Sequence, residues 1–260
     1  MTNFFYSQLF VKIPFPTGSY AGKTIVITGS NIGLGKEAAR HYVRLGVSPM
    51  ILAEVDMASY ASVKAFGARV NKDLDHNETM ITVNVVSTFL LAALVMRKLT
   101  ESAKLYSIRP VLCFTGSGAH THTRISTASR PSRQEYPVYK LLPLLATLHF
   151  ATLYLRDSYP VTLNTVSPGL CISGLARDST NIIFLLQRKI LARATEVRSR
   201  TLVHGGSAGP ETHGAYLADC TIGEPSALCR GPAGAALAKR VWDELGAQLE
   251  AIQRGVMKNF

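Results

Sequence analysis

An α/β fold, with helices on both faces of a mostly parallel sheet, is what this sequence predicts. Three apolar runs predict it: Ile25-Val-Ile27, Arg109-Pro-Val-Leu-Cys-Phe-Thr-Gly-Ser117 and Val161-Thr-Leu-Asn-Thr-Val-Ser167. β-Branched residues without polar alternation suit strands covered on both faces. The first run leads through a glycine turn into a helical pattern, and the second through a polar loop into another. The third breaks at Pro168-Gly169. A single domain of 260 residues is long enough to bury a full core.

The first strand carries the most chemistry. Thr24-Ile-Val-Ile-Thr-Gly-Ser-Asn-Ile-Gly-Leu-Gly35 precedes Lys36-Glu-Ala-Ala-Arg-His-Tyr-Val-Arg-Leu45, a helical pattern closed by Gly46. Strand, glycine turn and helix N-terminus form a phosphate cradle from Gly29, Ser30, Asn31, Ile32, Gly33 and Gly35. Backbone N–H groups and the positive end of the helix dipole face an anion there, and glycines let it approach the backbone. Turns also need glycine, so the strand before and the helix after give the triplet its meaning.

Composition narrows the partners. The net charge of +11 matches an anionic cofactor or an acidic surface. Its densest stretch, Arg188-Lys-Ile-Leu-Ala-Arg-Ala-Thr-Glu-Val-Arg-Ser-Arg200, mixes apolar residues with one Glu and reads as a helix with a solvated basic face. No zinc-finger or RNA-recognition motif accompanies it, so nucleic acid is not expected. The longest apolar stretch, about Val85 to Met96, is too short to span a bilayer, so no stable membrane insertion is expected. The first ten residues lack a basic region and a cleavage site, and they read as a helix covering apolar surface, with an amphipathic cap or a weak membrane contact as the alternatives. Cys113, Cys171, Cys220 and Cys229 show no CxxC spacing and read as reduced thiols, which with the missing leader suggests the cytoplasm. His120 and His122 have no Cys or carboxylate cluster beside them, so no metal is expected.

Tyr136-Pro-Val-Tyr-Lys140 opens the helix that continues as Leu141-Leu-Pro-Leu-Leu-Ala-Thr-Leu-His149. Tyr136 and Lys140, four apart, fall on one helix face. Ten tyrosines and eleven lysines in 260 residues give about 0.4 such pairs by chance, so the context must carry the pair. That context is a strand-end Ser117 upstream and the glycine turn before it. Tyr139, inside the same frame, has no lysine four residues later and reads as packing.

A glycine turn of this spacing, a strand-end serine and Tyr-x-x-x-Lys together resemble the short-chain dehydrogenase/reductase family. Pro16–Thr24, Asp56–Val63, Tyr136-Pro-Val and Arg200–His204 are similar to its fungal branch near the retinol-dehydrogenase-like and WW-domain-oxidoreductase-like enzymes. The resemblance covers nearly the whole chain. It implies a single Rossmann-like three-layer domain, with a cofactor and catalytic core over residues 20–170 and a substrate and closing segment over 174–260.

It also implies hydride transfer between NADP, with NAD open, and a carbonyl or alcohol of a small apolar metabolite, in secondary metabolism. Tyr136 would be the acid/base, Lys140 would lower its pKa and hold the nicotinamide ribose, and Ser117 would bond the substrate oxygen. Asn84 would hold a relay water, although a buried amide bonding backbone reads equally well. Asp56 would contact the adenine, with Glu54 on the ribose as the competitor. Pro168, Gly169 and Ser173 would pass over the nicotinamide. The chemistry explains the residue types. Lowering a tyrosine from 10 to about 7 takes roughly 4 kcal/mol of preferential phenolate stabilisation, and neighbouring cations supply that sign.

Two segments of the family pattern are missing. Ile51-Leu-Ala-Glu-Val-Asp56 serves for both the second and third strands, with no crossover between them. Between Asp75 and His76 there is no fourth strand, and no Asn-Ala-Gly occurs. One or two strands are therefore expected to be lacking. Either the first strand pairs directly with the Pro110–Thr115 strand, or a central edge stays open. A compacted enzyme, an inactive Rossmann-like scaffold and a truncated gene model all remain open, as does self-association. Beyond Gly174 the motifs give out: Asn181–Arg200 reads as a lid or substrate helix and Pro232–Arg254 as a closing amphipathic helix with Trp242 and Leu245 inside.

Overall fold

The structure, a computed structural model, describes residues 4–53, 59–63, 82–123, 135–172 and 188–260. Helix α1 (Phe4–Leu9) precedes strand β1 (Ala21–Thr28), helix α2 (Gly33–Arg44) and strand β2 (Ser48–Ala53). A π-helical turn (Thr82–Val86) opens α3 (Ser87–Tyr106), followed by β3 (Val111–Thr115) and a 3-10 turn (Gly118–His122). Then come α4 (Glu135–Leu153), β4 (Thr162–Ser167), α5 (Thr195–Ser207), β5 (Tyr216–Ala218), β6 (Thr221–Ile222) and α6 (Gly231–Ile252). The three apolar runs form β1, β3 and β4, and the Tyr-x-x-x-Lys segment lies in the first two turns of α4.

The strands fall into two sheets. β1 pairs with β2 in parallel. β3, β4 and β5 form a second parallel set, with β6 added antiparallel at its edge. β1 does not pair with β3, so among the described residues the open edge is the outcome found. The expectation that β1 is covered on both faces is corrected with it. Ile25 and Ile27 are half-buried, whereas Val26 between them is 50% exposed. A strand with one covered face alternates; only a covered pair of faces would hide the whole run.

Helices lie on both faces of the larger sheet. α5 packs on β3 and β4 from one side and α4 packs on β4 from the other. Gly205 permits the first contact, because a Cβ there would lie 2.6 Å from Cys113 Sγ and 3.2 Å from Val166 Cβ. Asn164, inside β4, donates to Gly205 O at 2.9 Å and ties helix to strand. The main core joins Phe89, Phe114, Phe150, Trp242, Leu245 and Leu249, so α6 closes the domain through the two residues expected on its inner face.

The helical stretch Val83–Tyr106 is longer than the apolar run suggested, and by length and composition it could cross a membrane. Its apolar side is already spent, because Phe89, Leu90, Ala93 and Met96 are fully buried in this core.

The smaller sheet is attached by helices. α2 packs against α5, where Tyr20, Ala38, Tyr42 and Val47 enclose Val203. Tyr42 donates to Val203 O at 3.4 Å, and a Cβ on Gly206 would lie 2.5 Å from its hydroxyl. His41 meets the Glu196 carboxylate at 3.1 Å.

Overfilling the α5–sheet contact should be felt at once. Gly205→Ala is expected to destabilise the domain by about 1–3 kcal/mol, read as a lower urea midpoint with an unchanged slope.

Candidate active site

The glycine turn has the shape an anion needs. Gly29 and Gly33 take positive φ (66° and 58°), and a Cβ on either would meet nothing within 4 Å. Gly35 differs, because a Cβ there would sit 2.3 Å from Gly29 O. Two glycines thus leave open space above the turn, while the third presses the helix onto the loop. Ser30 is buried, and Asn31 and Ile32 face solvent. Ile32 caps α2 without a side-chain hydrogen bond, and the first turn holds no acidic residue. The helix-end N–H groups therefore await an acceptor from outside the helix.

Ser117, Tyr136 and Lys140 are brought together. Ser117 leaves β3 in extended conformation and caps the 3-10 turn, its Oγ accepting from Ala119 N at 3.2 Å. That turn packs against α4, which brings the Ser117 side chain near Tyr136. Burial raises the Tyr136 pKa above its ordinary value, the nearby Ser117 side chain opposes the rise, and Cys171 adds to it. Burial lowers Lys140 to about 8. Its Nζ lies 5.9 Å from the Tyr136 ring centroid and donates weakly to Thr115 O at 3.5 Å. The ammonium thus faces the strand end and the ring, and burial dominates the phenol.

Pro168 and Gly169 follow β4, which pairs with β3 so that Thr115 lies opposite Val166. The serine loop and the Pro-Gly turn therefore leave neighbouring strand ends. Asn84 sits half-buried on the π-helical turn, which packs against α4. Asp56, its competitor Glu54 and Ser173 lie outside the described residues. Among the described residues no group of His, Cys, Asp and Glu is placed to hold a metal.

Two residues that shape the site escaped the sequence reading. His120, read there only as half of a His-x-His pair, is buried. Its Nε2 accepts from Ser226 N at 3.2 Å, so Nδ1 carries the hydrogen that donates to Ser117 O at 2.7 Å. The imidazole thus fixes the Ser117 backbone to the segment before α6. Arg198, placed on a solvated basic face, is fully buried instead. Its guanidinium pairs with Asp219 at 2.7 Å and with Gln8 Oε1 at 2.6 Å. Gly169 (φ 76°) lies under it, since a Cβ there would be 2.8 Å from Arg198 Cζ. Alternation of Arg with apolar residues was the available signal, and it fits a buried clamp as well as a solvated face.

No protein-family profile matches the chain, but individual relatives do. It is 44% identical over 322 aligned residues to the short chain dehydrogenase/reductase dmxR8 of Cryptosporiopsis sp. (strain 8999), covering 99% of both chains. It is 34% identical to the short-chain dehydrogenase anuD of Penicillium roqueforti, covering 98% of this chain and 84% of that one.

Two solved structures share the fold. The 3-ketoacyl-(acyl-carrier-protein) reductase of Brucella melitensis, complexed with NADH, gives a TM-score of 0.59 at 16% identity over 77% of this chain and 97% of that one. The NADPH-bound carbonyl reductase from chicken fatty liver gives 0.56 at 13% identity over 78% and 99%.

The protein is therefore an oxidoreductase by class, and this chain belongs to the short-chain dehydrogenase/reductase family. An alignment 322 positions long, laid over 260 residues, leaves at least 62 positions where dmxR8 has residues and this chain has none. That shortfall agrees with a Rossmann-like sheet lacking strands.

Burial also holds the His120 pKa below 6.5, against the raising effect of its bond to Ser117. Below about pH 6.5 the unfolded chain takes up a proton there that the fold resists, so stability falls as pH falls. His120→Gln should therefore narrow the loss of urea midpoint between about pH 7.5 and about pH 5 relative to the parent protein.

Proposed function

We propose that the chain transfers a hydride between a nicotinamide cofactor, NADP in this reading, and the carbonyl or alcohol of a small apolar metabolite of secondary metabolism. The observation that carries this is the packing of the Ser117 turn, at the end of β3, against α4, where Tyr136 lies near Ser117 and Lys140 follows one turn further along. Gly29, Ser30, Asn31, Ile32, Gly33 and Gly35 fit a dinucleotide pyrophosphate, because the turn is open above two glycines and its helix end is uncapped. The charge of +11 suits the additional phosphate of NADP. Asp56, Pro168, Gly169 and Ser173 would line the remaining cofactor contacts, and Lys140 the ribose. When bound, the cofactor supplies or accepts the hydride.

The chain's own residues handle the proton. Ser117 holds the substrate oxygen, and Tyr136 exchanges a proton with it. Like any tyrosine not lowered below its ordinary value, the phenol is protonated at neutral pH, so in this state Tyr136 is a proton donor, suited to carbonyl reduction. Asn84 supports a water behind α4. Residues 20–170 form the cofactor and catalytic part and 174–260 the substrate and closing part. The other reading is an inactive binding scaffold, and one observation favours it: Lys140 Nζ is turned toward Thr115 O.

Titration with NADPH and NADH, followed by fluorescence, separates the two. The enzyme reading expects NADPH to bind and aldehyde or ketone substrates to turn over. Tyr136→Phe should then lower turnover by about 10²–10⁴-fold with cofactor affinity nearly unchanged. No binding at millimolar cofactor excludes the enzyme, and binding without turnover leaves the scaffold.

A further inference from the structure

Helix α1 is built inside out. A surface helix ordinarily buries its apolar stripe and shows polar residues to water. Here Gln8 is the buried residue of α1, while Phe4, Phe5, Tyr6 and Leu9 are each about half exposed or slightly more. Phe10, one residue beyond, is 69% exposed, and Phe15 further on is exposed too. The aromatic rings gather in pairs, with centroids 5.6 Å apart for Phe4–Phe5 and for Tyr6–Phe10. Scattered exposed apolar residues are ordinary; five within seven consecutive positions are not.

The polar side is held from within, which fixes this orientation. Gln8 Oε1 accepts from Arg198, and the Ser7 hydroxyl donates to Asp219. Arg193 donates to the carbonyls of Ser7, Gln8 and Val11. Arg200 donates to Ile13 O at 3.0 Å and lies over the Phe15 ring. Turning the aromatics inward would take Gln8 from the fully buried Arg198 and three carbonyls from Arg193, and breaking such buried partnerships is costly. The aromatic face therefore stays outward.

The surroundings favour one occupant. The first acidic residue of the chain is Glu37, so the segment bearing the aromatics carries only positive charge. Lys12 on that segment is exposed, as are Lys189 and Ile190 on the stretch leading to Arg193. A second copy would bring a like-charged surface against it. An anionic bilayer instead offers opposite charge to the lysines and a boundary region in which aromatic rings settle. We propose that α1 and Phe10 seat this protein peripherally on an anionic lipid surface. The contact is a docking of rings and lysines at the headgroup level, with nothing spanning the bilayer. It does not depend on the enzymatic reading.

The test is co-sedimentation of the full chain with vesicles, either of phosphatidylcholine alone or with about one-third phosphatidylserine. The expected result is binding to the anionic vesicles, weakened by high salt, and reduced about tenfold or more by Phe5→Glu/Phe10→Glu. Thermal melting reports whether that variant keeps the parent fold. If it does not, Phe5→Ser/Phe10→Ser is read in its place, with a loss of the same direction expected. Absence of binding by the parent chain, or equal binding by parent and variant, would overturn the proposal. So would a parent dimer in sedimentation equilibrium that the variant dissociates, since the patch would then serve a second copy.

Discussion

The packing of α2 on α5 is the constraint on which the rest of this structure depends. In a continuous parallel sheet, ladder hydrogen bonds set the spacing between a phosphate-binding turn and the strand ends that carry catalytic groups. Here β1 and β3 share no ladder, and side chains hold the two halves in place. Two consecutive glycines on α5 make this possible. Gly205 lets the helix settle against Cys113 and Val166, while Gly206 leaves room for the Tyr42 hydroxyl on the other side. The Tyr20 ring meets Tyr42 edge-on at 5.2 Å, and His41–Glu196 closes the joint.

The half that carries Ser117, Tyr136 and Lys140 owes little to that joint. β3 and β4 pair residue by residue from Val111–Thr162 to Thr115–Val166, α4 covers β4, and α6 packs on α4. His120 pins the serine loop from behind, and Arg198 lies on the Pro-Gly turn. Asp219 links the same arginine to Ser7, so one buried cluster joins that turn to the N-terminal helix. The result is a stiff chemical half and a phosphate-binding half attached to it by helix packing. Burial in the chemical half raises the tyrosine pKa above its ordinary value.

Much of this was legible in the sequence, for local reasons. β-Branched runs marked β1, β3 and β4, and the spaced glycines marked the turn before α2. Helical periodicity placed Tyr136 and Lys140 at the start of α4, and Trp242 and Leu245 inside α6. What escaped was non-local. Strand pairing depends on partners far along the chain, so Ile25-Val-Ile27 suggested a covered strand although the far edge of β1 is unpaired among the described residues. The missing Asn-Ala-Gly strand did announce that choice. The arginines of 188–200 read as solvated because periodicity does not reveal which carbonyls they will meet; Ser7, Gln8, Val11 and Ile13 lie more than 180 residues away. His120 carried no distinguishing pattern, since its partners are backbone groups.

Amide hydrogen exchange on Tyr42→Ala tests most directly whether helix packing joins the halves. With the contact removed, amides of Ala21–Ala53 are expected to lose protection together, while those of Val111–Thr115 and Thr162–Ser167 keep theirs. Unchanged protection of Ala21–Ala53 would contradict it, because something other than the α2–α5 contact would then be holding the glycine turn in place.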